Sequence, residues 1–238
     1  MQNNPTPAAK PKPSRPLPPP EFQSEQIDKL DSAGLTKILS DASASEFQKS
    51  KACQLLASRG EVAAVPAIAA LLPDPKLSHY ARYALEPMPG PAADDALRAA
   101  LPRLKGNLLI GVINSIGFRR DQKAIMPLSR FVYGADVPTA DAAAAALGHI
   151  GSADASKALQ AALNKTKDPV RTYVARGALV CAENLLSGGS RDEALGLYQV
   201  LAGATMPKPV RLGAMHAIIG AETSTSRPRP VPPPAPGA

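Results

Sequence analysis

Apolar residues recur along this chain in short phrases with helical spacing, and the phrases themselves repeat. Gly34-Leu-Thr-Lys-Ile-Leu39, Ala64-Val-Pro-Ala-Ile-Ala69, Ala96-Leu-Arg-Ala-Ala-Leu101, Ala124-Ile-Met-Pro-Leu-Ser129, Ala158-Leu-Gln-Ala-Ala-Leu163 and Ala194-Leu-Gly-Leu-Tyr-Gln199 share one pattern. Anchored on Leu35, Val65, Leu97, Ile125, Leu159 and Leu195, they step by 30, 32, 28, 34 and 36 residues. An apolar residue or alanine follows each anchor three positions on, so both sit on one helix face. A period of this length holds two short helices and their turns.

A second phrase completes each unit: Lys51–Leu56, Tyr80–Leu85, Gly111–Gly117, Ala143–Gly151, Tyr173–Leu179 and Gly213–Ile218. Gly117 and Gly151 stand where a helix C-terminus favours positive φ. Asp74-Pro75, Asp168-Pro169 and Lys208-Pro209 mark the turns between helices, and aspartate at the N-cap with proline at the first helical position is a common helix start. The pattern predicts an all-α fold, a right-handed α-solenoid of about six helix pairs over residues 23–221. Residues 1–22 and 222–238 are expected to be disordered tails, since more than half of the 26 prolines fall there. Both tails carry a basic-x-x-P-x-x-P spacing (Lys10 to Pro16, Arg227 to Pro233), which suits polyproline ligands, although a spacer or tether is the expected role.

Composition narrows the reading. Tryptophan is absent and aromatics make up 4% of a chain rich in alanine, which suits closely approaching helices better than a thick globular core. The net charge of +7 would suggest nucleic acid, but residues 1–20 and 222–238 hold five basic residues against one acidic, leaving about +3 for the rest of the chain. No specific nucleic-acid binding is expected. The two cysteines, Cys53 and Cys181, fall about four repeats apart, too far for a disulfide, and read as buried apolar residues. No apolar stretch is long enough to span a bilayer. The start of the chain has no secretory h-region, so a cytoplasmic location is expected, or an envelope location if the chain is truncated at its N-terminus.

Asp168-Pro-Val-Arg171, Ala145-Ala-Leu-Gly-His-Ile-Gly151, Leu77-Ser-His-Tyr-Ala-Arg-Tyr-Ala-Leu-Glu-Pro-Met88 and Gly111-Val-Ile-Asn-Ser-Ile-Gly117 resemble the bacterial HEAT repeats of the PBS-lyase-like group. The stretch from Ala182 to Tyr198 is similar to a tetratricopeptide junction, which suggests partly TPR-like geometry in repeats five and six. The resemblance implies second helices lining a concave face where partners lie. On that face it places Arg82, Tyr83, Asn114, Arg171, Arg176, Arg211 and His216 as partner-binding candidates.

The same residues carry no linear catalytic signature. Hydroxylases resembling this fold hold iron with His-Glu pairs, whereas His79, His149 and His216 precede Tyr80, Ile150 and Ala217 and lie about two repeats apart. No nucleotide, zinc or nucleophile motif is present. Asp94 and Asp95 are expected to complement a helix dipole. Arg98, Arg103, Lys105, Arg119, Arg120, Lys123 and Arg130 concentrate charge in repeats three and four, which would offer a patch to an acidic segment if they share a face. The sequence thus predicts a non-catalytic scaffold without cofactor or metal, bound to an unidentified protein partner. Chromophore or cofactor handling in the PBS-lyase manner and weak polyanion binding are the alternatives. Leu212, Ile218 and Ile219 in the last helix predict an end open to end-to-end self-association.

Overall fold

A computed structural model describes residues 25–225. A short helix α1 (Glu25–Asp28) leads into six helix pairs: α2 (Ser32–Ser40) with α3 (Glu46–Ser58), α4 (Val65–Ala69) with α5 (Ser78–Leu85), α6 (Ala92–Ala100) with α7 (Gly106–Phe118), α8 (Ile125–Val132) with α9 (Val137–Ile150), α10 (Ala153–Lys165) with α11 (Val170–Ser187), and α12 (Arg191–Leu201) with α13 (Lys208–Thr225). No strand occurs among the described residues. The proline-rich motifs lie outside them. The second helices α3, α5, α7, α9, α11 and α13 pack in sequence against one another and form one layer, while first helices such as α2 and α4, α4 and α6, or α10 and α12 adjoin in the other. The fold is therefore the HEAT-like all-α solenoid that the repeat phrases predict.

One continuous core runs the length of the array. The anchors Leu35, Val65, Leu97 and Leu159 are buried in it, while in the units of Ile125 and Leu195 the deeper residues are Leu128 and Tyr198, three positions on. Helix starts are fixed by short side chains. Asp31 accepts from the Gly34 amide at 2.7 Å, Ser45 and Gln48 form a reciprocal capping box, Asp136 accepts from Thr139, and Ser152 accepts from Ala155. Gly151 closes α9 in the left-handed region at φ 61°, as its position predicts.

Other local expectations need correction. Asp74 accepts from the Lys76 and Leu77 amides in a turn that precedes α5, and at the start of α11 Pro169 occupies the cap position after a cis peptide bond. Gly117 lies within α7, and the positive φ after that helix belongs to Arg120. A Cβ at Gly117 would stand 2.8 Å from Ala146 Cα, so glycine is needed there for close helix approach. The same device recurs between α9 and α11, where Gly148 meets Gly177 and Gly177 meets Ala144, backbone against backbone. The small residues of the composition thus have a specific place: they tighten the second-helix layer.

Candidate functional site

The site begins with two helix faces. On α3, Phe47, Ser50, Lys51 and Gln54 follow an i, i+3, i+4, i+7 spacing and form one stripe. On α5, His79, Tyr80 and Tyr83 form a second stripe facing it. Because α3 and α5 are consecutive helices of one layer, the stripes enclose an open groove of about 300 Å³. The His79 ring lies 5.1 Å from that of Tyr80 and 6.5 Å from that of Tyr83, both tilted. Lys51 is held at one edge by an ion pair with Asp28 of α1 at 3.2 Å. Tyr83 is 67% exposed, so its ring is presented to solvent. In a chain with five tyrosines, four phenylalanines and no tryptophan, two tyrosines and a phenylalanine share this one groove.

Such a groove offers flat apolar surface, two phenolic hydroxyls, an imidazole, an amide and an ammonium. That chemistry suits a planar conjugated ligand with polar or anionic substituents. The thiols are not available as nucleophiles at neutral pH. Cys53 and Cys181 are both free and buried, and burial pushes each thiol up to about 12.

Of the residues singled out in the sequence, Tyr83 lines this groove, Arg82 is its neighbour on α5, and Asn114 is exposed on α7. Arg82 is partly buried and donates to the Gly111 carbonyl at 3.4 Å, with its guanidinium lying over the glycine. Arg171 and Arg211 converge elsewhere, on the loop before α13. Arg171 donates to the Thr205 hydroxyl at 3.3 Å, and Arg211 donates to the Ala204 carbonyl at 3.4 Å. Arg176 and His216 are exposed on α11 and α13. The structure therefore distributes the seven residues over two regions separated by α9. The stripe on α3 was missed, although its spacing and its aromatic residue were readable.

The central cluster of basic residues does not form one open patch. Arg98 is ion-paired with Asp121 and Asp95. Arg119, only 9% exposed in its side chain, pairs with Asp94 and donates to the carbonyls of Leu85, Glu86, Met88 and Gly90 at 2.7–3.0 Å. Arg120 reaches across to the Asn184 side-chain oxygen at 3.1 Å. Asp94 and Asp95 are thus ion-pair partners as well as first-turn acids of α6. Arg119 ties α7 to the end of the preceding pair and Arg120 reaches α11 two pairs on, because planar forks match carboxylates, amide oxygens and free helix-end carbonyls.

No described helix is long and apolar enough to cross a membrane. No family model and no curated protein matches the sequence. Among solved structures, the complex of CpcE and CpcF of phycocyanin lyase from Nostoc sp. PCC7120 is 20% identical, with a TM-score of 0.48, covering 94% of this chain and 95% of that one. An engineered protein is 19% identical, with a TM-score of 0.42, over 82% of this chain and 97% of that one. The expectation of a non-enzymatic chain is corrected at this point. A complex named as a lyase is found among proteins similar to this array. The lack of a linear catalytic motif is no ground for excluding enzymatic work, since catalytic groups are brought together by the fold.

Proposed function

We propose that the chain is a cofactor- or chromophore-handling solenoid, which holds a planar conjugated ligand in the α3–α5 groove and meets a protein partner along its second-helix layer. The observation that carries this reading is the gathering of Phe47, Tyr80, Tyr83 and His79 around one groove beside Lys51, in a chain otherwise poor in aromatics. The lyase complex is named for two proteins, and a protein partner for this chain belongs to the same reading. The binding body in this view is residues 23–225, since α13 runs on to Thr225 past the expected tail boundary at 222, with 1–22 and 226–238 as tethers. The partner side draws on Arg82, Asn114, Arg176 and His216 at the surface, and on Arg171 and Arg211 through the loop they hold. End-to-end self-association through the last repeat is a further element.

The test is a spectroscopic titration of the purified full chain with biliverdin and with an anionic anilinonaphthalene dye, each used as a conjugated probe. Saturable binding is expected, weakened at least tenfold by Tyr80→Ala combined with Tyr83→Ala. Both side chains are exposed, so the double variant keeps its thermal midpoint. No saturable binding of either probe, or equal affinity in the double variant, sinks the ligand reading.

A further inference from the structure

The last helix pair repeats the preceding one with a readable register. Pro169-Val170-Arg171 at the head of α11 corresponds to Pro209-Val210-Arg211 at the head of α13, forty positions on. The burial pattern agrees: Val174 and Ala214 are both fully buried, and Cys181 and Ala221 are both buried. In this register Ala175 corresponds to Met215 and Leu179 to Ile219.

The correspondence then breaks. Ala175 is 0% exposed and Leu179 lies against Gly213 of α13, so the last pair covers that stripe of α11. Met215 and Ile219 are 42% and 60% exposed, and Leu212, on the same stripe, is 52% exposed. The face of α13 that would receive a following pair is apolar and uncovered by any described residue. It also lacks charge: no Asp, Glu, Lys or Arg occurs between Arg211 and Glu222. Terminal repeats ordinarily present a polar outer face. The opposite end of the array does so, with Glu25, Lys29, Asp31 and Lys37 exposed on and around α1 and α2.

This asymmetry selects the occupant. A head-to-tail contact would press the apolar stripe of α13 against charged side chains and leave them desolvated. A two-fold contact places the stripe against itself, apolar on apolar, and closes after two copies. The chain carries a net charge of +7, so two copies repel over most approaches, and an uncharged run is where like charges do not oppose across a two-fold axis.

We propose that a second copy of this chain covers the Leu212, Met215 and Ile219 face, giving a two-fold dimer joined α13 to α13. This inference rests on reading the solenoid as a protein-binding surface and is independent of any ligand in the α3–α5 groove.

Sedimentation of the full chain, with light scattering as a second measure of mass, tests it. The wild type is expected to dimerise reversibly by ~100 µM. Ile219→Glu and Ile219→Lys, each with an unchanged circular dichroism spectrum, are expected to be monomeric with at least a tenfold rise in Kd. A two-fold axis passing beside Ile219, the most exposed residue of the stripe, sets the substituted positions side by side, so an equimolar mixture of the two is expected to restore the dimer. Leu30→Glu, at the other end, is expected to leave it unchanged.

A wild type that stays monomeric through that range overturns the proposal. So does a dimer equally tight in Ile219→Glu, or a dimer that forms only when residues 226–238 are deleted, the last showing that the chain's own C-terminal segment covers the face. Probe titration of the same samples separates the two readings. Loss of the dimer leaves groove binding intact, and an empty groove leaves the dimer intact.

Discussion

Replacing Gly177 by alanine tests whether close packing of the second-helix layer holds the array together. An added Cβ would lie 2.8 Å from the Ala144 carbonyl carbon and nearer still to its oxygen. Both are backbone atoms in the middle of α9, so no side chain can swing away. Restoring ordinary contact requires the helices to part by roughly 0.6–1 Å, a gap that forfeits a quarter to a half of each dispersion contact across the seam. Overpacking of this kind costs about 1–3 kcal/mol, with lost dispersion adding to it, while the better helix propensity of alanine returns about 1 kcal/mol. The net is a destabilisation of about 2 kcal/mol, or a fall of roughly 6 °C in the thermal midpoint for a domain of this size. Gly196 is the internal control. It lies exposed in α12 with nothing within 4 Å of an added Cβ, so Gly196→Ala gains the propensity term alone, about 1 kcal/mol, and raises the midpoint. The assay is thermal and urea unfolding followed by circular dichroism, with hydrogen exchange resolving protection in α9 and α11. A Gly177→Ala variant as stable as Gly196→Ala would refute the claim that backbone contact sets the α9–α11 distance.

Two further outcomes follow from named groups. Arg119→Lys is expected to cost about 3 kcal/mol in urea unfolding, because an ammonium cannot serve four carbonyls and a carboxylate from one planar fork; unchanged stability would mean those carbonyls are satisfied without it. Stability is expected to fall as pH rises above 9. The folded-state pKa values of Cys53 and Cys181 are raised from 9 to about 12, and that of Tyr198 from 10 to about 12, by burial first and for Tyr198 also by Glu183. The unfolded chain releases these protons first, so each group's contribution is complete below its unfolded pKa and is lost towards pH 12, at about 1.4 kcal/mol per pH unit per group while the folded state stays protonated. A reductant-protected urea series from pH 8 to about 11 measures this slope, and Cys53→Ala combined with Cys181→Ala is expected to reduce it.

Much of the fold is legible in the chain because its signal is local. The phrase from Ala158 to Leu163 specifies a helix face with no knowledge of its neighbours, and Gly151 announces a helix end in the residues that form it. What joins the repeats is not local. Arg98 and Asp121 are 23 positions apart, Arg119 and the Leu85 carbonyl 34, and Arg120 and Asn184 64. In sequence these arginines look like a basic patch because their acceptors are backbone carbonyls, which carry no letter, or, Asp95 apart, side chains more than twenty positions away. The groove was obscured for the same reason: one wall belongs to the first unit and the other to the second, so Phe47 and Tyr83 meet only once the units are stacked.

The same logic separates architecture from function in a repeat array. Positions that obey the period, such as Leu35, Leu97 and Leu159, are accounted for by burial and identify no partner. Information about function resides where a unit departs from the period without a structural return. Arg119 departs from it, but the carbonyls it serves supply that return. Tyr83 has no such return: at 67% exposure it stabilises little, and its ring faces a groove. Met215 and Ile219 have none either, since the register that buries Ala175 and packs Leu179 leaves them in water at an unfavourable transfer free energy of about 25 cal/mol per Å² of exposed apolar surface. A ligand at the first place and a second copy at the other would each remove that surface from water. At each of these two departures, binding would return the free energy of the apolar surface that the period leaves exposed.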